Sequence, residues 1–177
     1  VGALPLVKGD IIHNTGQDDV FVSDFYKKVA EVFTNSDIMF FSNNGIRTDE
    51  NLNQQGPMIP SHFQPDYSQP LDRFKEWFGV VDNKITRANN NLLAPGTLYR
   101  KELHKIIGKP DLEKFKGAAD MEYWARMLLN EQKGYYHPTP LWLYRNSEYD
   151  TSNLGGFEDF NQTILTEYKR LWKEKMQ

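Results

Sequence analysis

The sequence predicts an α/β domain: a mixed sheet flanked by helices, with a further helix at the C-terminus. Two observations carry this. In the first third, a strand, an acidic loop, a helix and a second strand follow one another, the order of an α/β unit. Further on, short apolar runs of strand length alternate with stretches of helical period, and no internal repeat or low-complexity tract interrupts them.

Taken in order, Lys8-Gly9-Asp10 leads into Ile11-Ile12-His13-Asn14-Thr15, a short β-branched run that reads as a buried strand, ended by Gly16-Gln17-Asp18-Asp19. From Ser23 the period changes. Phe25, Tyr26, Val29, Val32 and Phe33 fall on one helical stripe, with Ser23 and Asp24 suited to its start. Asp37-Ile38-Met39-Phe40-Phe41-Ser42 is a second strand, apolar on both faces and so expected inside the sheet. Residues 43–70, rich in Asn, Gln, Gly and Pro, read as a long loop, either a binding loop or a surface insertion. After Pro70, Leu71, Phe74, Trp77 and Phe78 mark a short amphipathic helix. Asn91 to Arg100 reads as a strand interrupted by Pro95-Gly96, which lets another group approach the backbone. Lys101 to Ile107 predicts a helix capped by Gly108, and Asp120 to Asn130 a clearer one, with Met121, Trp124, Ala125 and Leu128 on one face and Gly134 closing its turn. Leu141 to Arg145 is a further strand. Phe157, Phe160, Ile164, Tyr168 and Leu171 define the terminal helix over 157–177, whose outer face carries Lys169, Arg170, Lys173 and Lys175. Those cations either complement the helix dipole or touch an anionic membrane surface.

A length of 177 residues suits one domain with a single packed core. The net charge of −3 argues against a dedicated nucleic-acid binder, which would show a basic face. Without cysteine there are no disulfides, thiolate nucleophiles or cysteine zinc sites, and a reducing compartment fits. No apolar run is long enough to cross a bilayer, and the expected location is cytoplasmic, at the inner face of a membrane if the basic helix end is used. Aromatic residues make up 14% of the chain, enough to serve either as core filling or as sugar-stacking surface. The sequon at Asn161 carries little meaning in such a protein.

Chemistry is expected at two places. Asp18 and Asp19 follow the first strand, and open α/β sheets bind ligands beyond the carboxyl ends of their strands. Adjacent carboxylates there suit a hard divalent cation shared with a diphosphate, or else simply an acidic helix N-terminus. Asp120 opens a helix after Gly117-Ala118-Ala119, as a cap or as a positioned general base. The scattered His residues show no metal spacing, and no Gly-x-Ser-x-Gly elbow supports a serine hydrolase.

In their order, these segments resemble the family 2 glycosyltransferases of the GT-A fold. Gly9-Asp10-Ile11-Ile12 running into Gly16-Gln17-Asp18-Asp19 is similar to that family's strand and Asp-x-Asp-Asp turn, and Val20-Phe21 to Phe33 to the helix that follows. Asn91 to Ile107 is similar to a later strand and helix. Gly117 to Leu128 resembles the Gly-Glu-Asp-x-Glu-x-Trp-x-Arg-Leu segment, with Asp120 on the catalytic Asp, and Leu141 to Ser152 the closing Tyr-Arg segment. The likeness reaches to about residue 152. It implies the acceptor-side, C-terminal portion of an inverting glycosyltransferase of polysaccharide or glycoconjugate biosynthesis. The upstream nucleotide-binding βα units would precede Val1.

The resemblance further implies a Mg²⁺ or Mn²⁺ ion held at Asp18 and Asp19. Asp120 would be the base for the acceptor hydroxyl, and Gly96, Thr97 and Arg145 would be substrate-binding residues. The implied partners are a nucleotide-sugar donor and a carbohydrate or lipid-linked acceptor, with no nucleic acid. Two departures stand out. Gly16 replaces the first Asp of the motif, and Asn146-Ser147 follow Arg145 where a His is often found. They keep open a non-catalytic sugar- or partner-binding domain on a degenerate version of the fold.

Overall fold

In the computed structural model the described residues are 6–15, 19–58, 65–85, 97–115, 119–145 and 157–177. The strands are β1 (Ile11–His13), β2 (Val20–Phe21), β3 (Phe40–Thr48), β4 (Gln54–Pro57), β5 (Val80–Val81), β6 (Lys84–Ile85), β7 (Leu98–Arg100) and β8 (Gly134–Arg145). The helices are α1 (Phe25–Val32), α2 (Pro70–Phe78), α3 (Leu103–Ile106), α4 (Leu112–Phe115), α5 (Ala119–Leu129) and α6 (Phe157–Lys175). The main sheet is mixed, in the order β1-β7-β3-β8-β2, with β4 added to β3, while β5 and β6 form a separate hairpin. The molecule is thus the mixed α/β architecture with a C-terminal helix that the sequence predicts.

β3 is internal, as its apolar run requires. Phe40 and Phe41 pair antiparallel with β7 on one side and parallel with β8 on the other. Their alternating side chains divide the core. Phe40 joins Ile12, Tyr99, Tyr123, Leu128, Phe74 and Tyr168 on the face covered by α2, α5 and α6, whereas Phe41 joins Phe25, Val29, Leu98 and Leu141 under α1. Of the four residues expected on the buried face of α5, Ala125 and Leu128 are buried and Met121 and Trp124 half-buried, while Tyr123, Met127 and Leu129 are buried as well. On α6 Trp172 is buried alongside Ile164 and Tyr168, a core position the stripe of apolar residues had not included.

Several boundaries differ from the sequence reading. β3 does not end at Ser42 but runs on through Asn43-Asn44-Gly45 to Thr48, then returns through β4, so residues 43–57 belong largely to the sheet rather than to a long loop. Close packing explains the continuation: a Cβ on Gly45 would sit 2.5 Å from the Trp142 ring, so only glycine lets β8 lie so near. Val20 and Phe21 are not helical. They pair with Leu143 and Trp142 of β8, and α1 starts only at Phe25. Asp24 makes no side-chain cap there; it is ion-paired with Lys28 instead.

Gly134 does not close the turn after α5. Glu131 takes the left-handed conformation at φ 57°, and its N–H and that of Gln132 donate to the carbonyls of Leu128 and Met127, each at 3.0 Å. This is the Schellman pattern with a glutamate in the place usually given to glycine. Gly134 serves packing: an added Cβ would lie 2.3 Å from the Phe40 ring. Gly108, by contrast, has φ 79° directly after Ile107, the C-cap of α3, as a capping glycine should.

Candidate functional site at the carboxyl end of the sheet

β1 and β3 both run antiparallel to β7, and β8 runs parallel to β3, so β1, β3 and β8 share one direction. The register sets His13, Leu98, Phe41 and Tyr135 in one row across the sheet. Beyond that row, at the same end, lie Asn14 and Thr15 after β1, Thr97 before β7, Asn43 on β3 and the distal half of β8. This carboxyl end is where open α/β sheets bind ligands.

Asp18 and Gly96 lie outside the described residues. Asp19 is half-buried, and its Oδ2 accepts a hydrogen bond from the Thr15 hydroxyl at 3.4 Å. Thr97 is buried immediately before β7. Arg145 ends β8 opposite Thr48, and its Nε is buried without a hydrogen-bond partner. Asp19, Thr97 and Arg145 therefore belong to the same end of the sheet.

Asp120 is the second residue of α5, on the sheet face opposite α1. Its half-buried Oδ1 accepts a hydrogen bond from the Met121 N–H at 2.7 Å. Burial pushes its carboxyl above the usual aspartate range, and that backbone bond pulls it partly back. The C-terminal end of α5 feeds the amino end of β8 through a tight turn, so its first turn lies about 15 Å along the helix from that junction. Glu122, two residues on, has a different task. It receives Arg126 at 2.7 Å and the Tyr168 hydroxyl at 3.1 Å, and so ties α5 to α6.

Two further residues at this end were not singled out by sequence reasoning. Asn43 is buried, and neither its amide nitrogen nor its amide oxygen has a hydrogen-bond partner. Buried amides are normally satisfied, so both atoms suit a polar ligand. The main-chain register of β3 and β8 also breaks between Asn43 and Gly45, where β8 carries Pro138 and Pro140, and such bulges re-aim side chains beside active sites. The signal was available: Asn43-Asn44-Gly45 is a polar, glycine-containing continuation of an apolar strand.

His13 ends β1, packed against Phe21, Phe25 and Tyr26 at ring-centroid separations of 4.9, 5.4 and 5.7 Å. Its Nδ1 meets the Tyr26 hydroxyl at 3.1 Å, while its Nε2 is buried without a partner. Burial lowers the imidazole to about 4, so the ring is neutral and able to accept or donate at neutral pH.

Among the described residues no group of three or more His, Asp or Glu side chains is arranged to hold a metal ion, and no helix is long and apolar enough to cross a membrane. The chain matches no protein-family model and no characterised protein.

Proposed function

We propose that the chain is the acceptor-side portion of an inverting glycosyltransferase of the GT-A type, moving a sugar from a nucleotide donor to an acceptor hydroxyl. The observation that carries this is a coincidence of topology and motif. In sequence the acidic segment 16–19 follows β1, in a sheet where Asp19, Thr97, Arg145 and the unsatisfied Asn43 amide occupy the same end. The motif order of the sequence supports the family, and a sheet end that holds the unsatisfied Asn43 amide and Arg145 Nε is consistent with it.

In this reading Asp120 takes the acceptor proton as the hydroxyl attacks the anomeric carbon. A carboxyl whose affinity for protons is raised by burial is a better base than a solvated one. Arg145 and Asn43 hold the polar groups of donor or acceptor. Asp18, with Asp19, would hold a divalent cation, whose chemistry when bound is to neutralise the departing diphosphate; carboxylate oxygens are the donors Mg²⁺ and Mn²⁺ prefer. Asp19 is already engaged by Thr15, which gives Asp18 the larger part.

Gly16 and Asn146 favour a second reading, a sugar- or partner-binding domain on the same scaffold that does not turn over. Nucleotide-sugar hydrolysis by the complete protein, assayed with and without Mn²⁺, separates them. Metal-dependent release of nucleoside diphosphate supports the transferase. Sugar binding with no release at any metal concentration supports the binding domain.

A further inference from the structure

At the opposite end of the sheet a cavity of about 640 Å³ opens between the segment before β1, the end of β7 and α3. Its walls are Asp10, Arg100, Lys101, Glu102, His104, Lys105 and Lys109. Four cations thus face two carboxylates, in a chain whose net charge is −3. That size falls within the range of small-ligand pockets.

Two of the cations are built in. The Arg100 Nε donates to Ile38 O at 2.8 Å, and its Nη2 donates to Phe33 O and Asn35 O at 2.8 and 3.0 Å. The Lys101 ammonium donates to the carbonyl of Val7. Backbone carbonyls orient these charges without neutralising them. Lys105 and Lys109 are exposed at the rim, and among the described residues none of the four cations has a carboxylate within ion-pairing distance. The half-buried His104 registers the resulting field. Burial lowers its affinity for protons first, and the charges of Lys109 and Lys101 lower it further. Fixed guanidinium and ammonium groups, backed by mobile lysines, are a recognition surface for phosphate oxygens.

We infer that this cavity binds a phosphate-bearing ligand, at a site distinct from the carboxyl end of the sheet and independent of the transfer reaction proposed there. The phosphate belongs either to a small soluble molecule or to a lipid headgroup; the chemistry that recognises it is the same.

Titration of the chain with pyrophosphate, followed by calorimetry at low salt, tests the soluble source. Sedimentation with phosphatidylcholine vesicles, with and without phosphatidic acid, tests the lipid source. The paired variant Lys105→Gln/Lys109→Gln changes only exposed side chains, and circular dichroism checks that it folds. Loss of two charge-assisted contacts should weaken binding by about tenfold or more. The control, Lys169→Gln/Lys173→Gln on α6, removes the same charge elsewhere and should change binding less than about twofold. Pyrophosphate binding that follows this pattern establishes a soluble ligand. Vesicle binding that follows it, without pyrophosphate binding, establishes a lipid headgroup. The inference is overturned if neither probe binds, or if the two paired variants weaken binding equally, since general charge attraction would then account for it.

Discussion

At the scale of single residues, the carboxyl end of the sheet holds side chains whose local states make opposite demands. His13 is neutral in the folded protein down to about pH 4, whereas its ordinary value is 6.5. Between those values the unfolded chain binds more protons. The stabilisation from a neutral His13 is therefore complete above pH 6.5 and is lost as pH falls toward 4. A melting-temperature series across that window should fall with acid in the native protein and fall less in His13→Phe; parallel curves would assign the slope to other groups. Asn43 makes a different test. Replacing an unsatisfied buried amide by an apolar side chain of similar size should stabilise the fold, by about 1 kcal/mol, while weakening substrate binding. Urea unfolding of Asn43→Leu measures the first effect and ligand titration the second. A loss of stability would show that the amide is satisfied in solution and has no ligand to await. At the acidic turn, Asp18→Ala should weaken Mn²⁺-dependent donor binding far more than Asp19→Ala, whose carboxylate braces Thr15. Equal effects would reduce the turn to a structural one.

At the scale of elements, what could be read in the sequence followed apolar period, and what could not followed close backbone approach. Phe40-Phe41, the Ala125-Leu128 side of α5 and the Ile164-Tyr168 side of α6 were legible because burial leaves a pattern in residue type. Gly45 and Gly134 were read as loop or turn glycines, yet each is needed because an aromatic ring from a neighbouring strand occupies the space of a side chain. Pro138 and Pro140 hid the length of β8 in the same way, since proline within a run argues against a strand unless a bulge accommodates it. Gly134→Ala should accordingly destabilise by about 2 kcal/mol or more, because Phe40 is fully buried and has no free space to enter. Chemical unfolding measures it; a change under about 0.5 kcal/mol, the usual range for an unconstrained position, would mean that the ring moves freely. The candidate site divides similarly. Asp19, Thr97 and Arg145 could be named from motif order, but His13 and Asn43 emerged only when the register of the strands was known. A lone His carries no spacing that marks it out, and Asn43-Asn44-Gly45 was legible as a polar break after an apolar strand, not as a site.

At the scale of the whole molecule, the sheet has two chemically different ends. The carboxyl end gathers Asp19, Thr97, Arg145 and the unsatisfied amide of Asn43, while the amino end of β1 opens on a cavity lined by four cations and two carboxylates. Helices α2, α5 and α6 pack one face, where the buried Glu122 ties α5 to α6 through Tyr168, and α1 packs the other. The proposed transfer would need such a packed frame, because its base and its leaving-group partner must be fixed on either side of one carbon. Asp120 is the residue on which that account turns. Its carboxylate is disfavoured by burial, and the hydrogen bond from the Met121 N–H offsets that cost only in part. The direct measurement is turnover, donor affinity and melting temperature of Asp120→Asn in the complete protein. The account predicts turnover lower by about a hundredfold or more, donor affinity unchanged, and a melting temperature at neutral pH equal to or above that of the native protein. Turnover close to native, with a lowered melting temperature, would contradict it and leave Asp120 a helix-terminal residue.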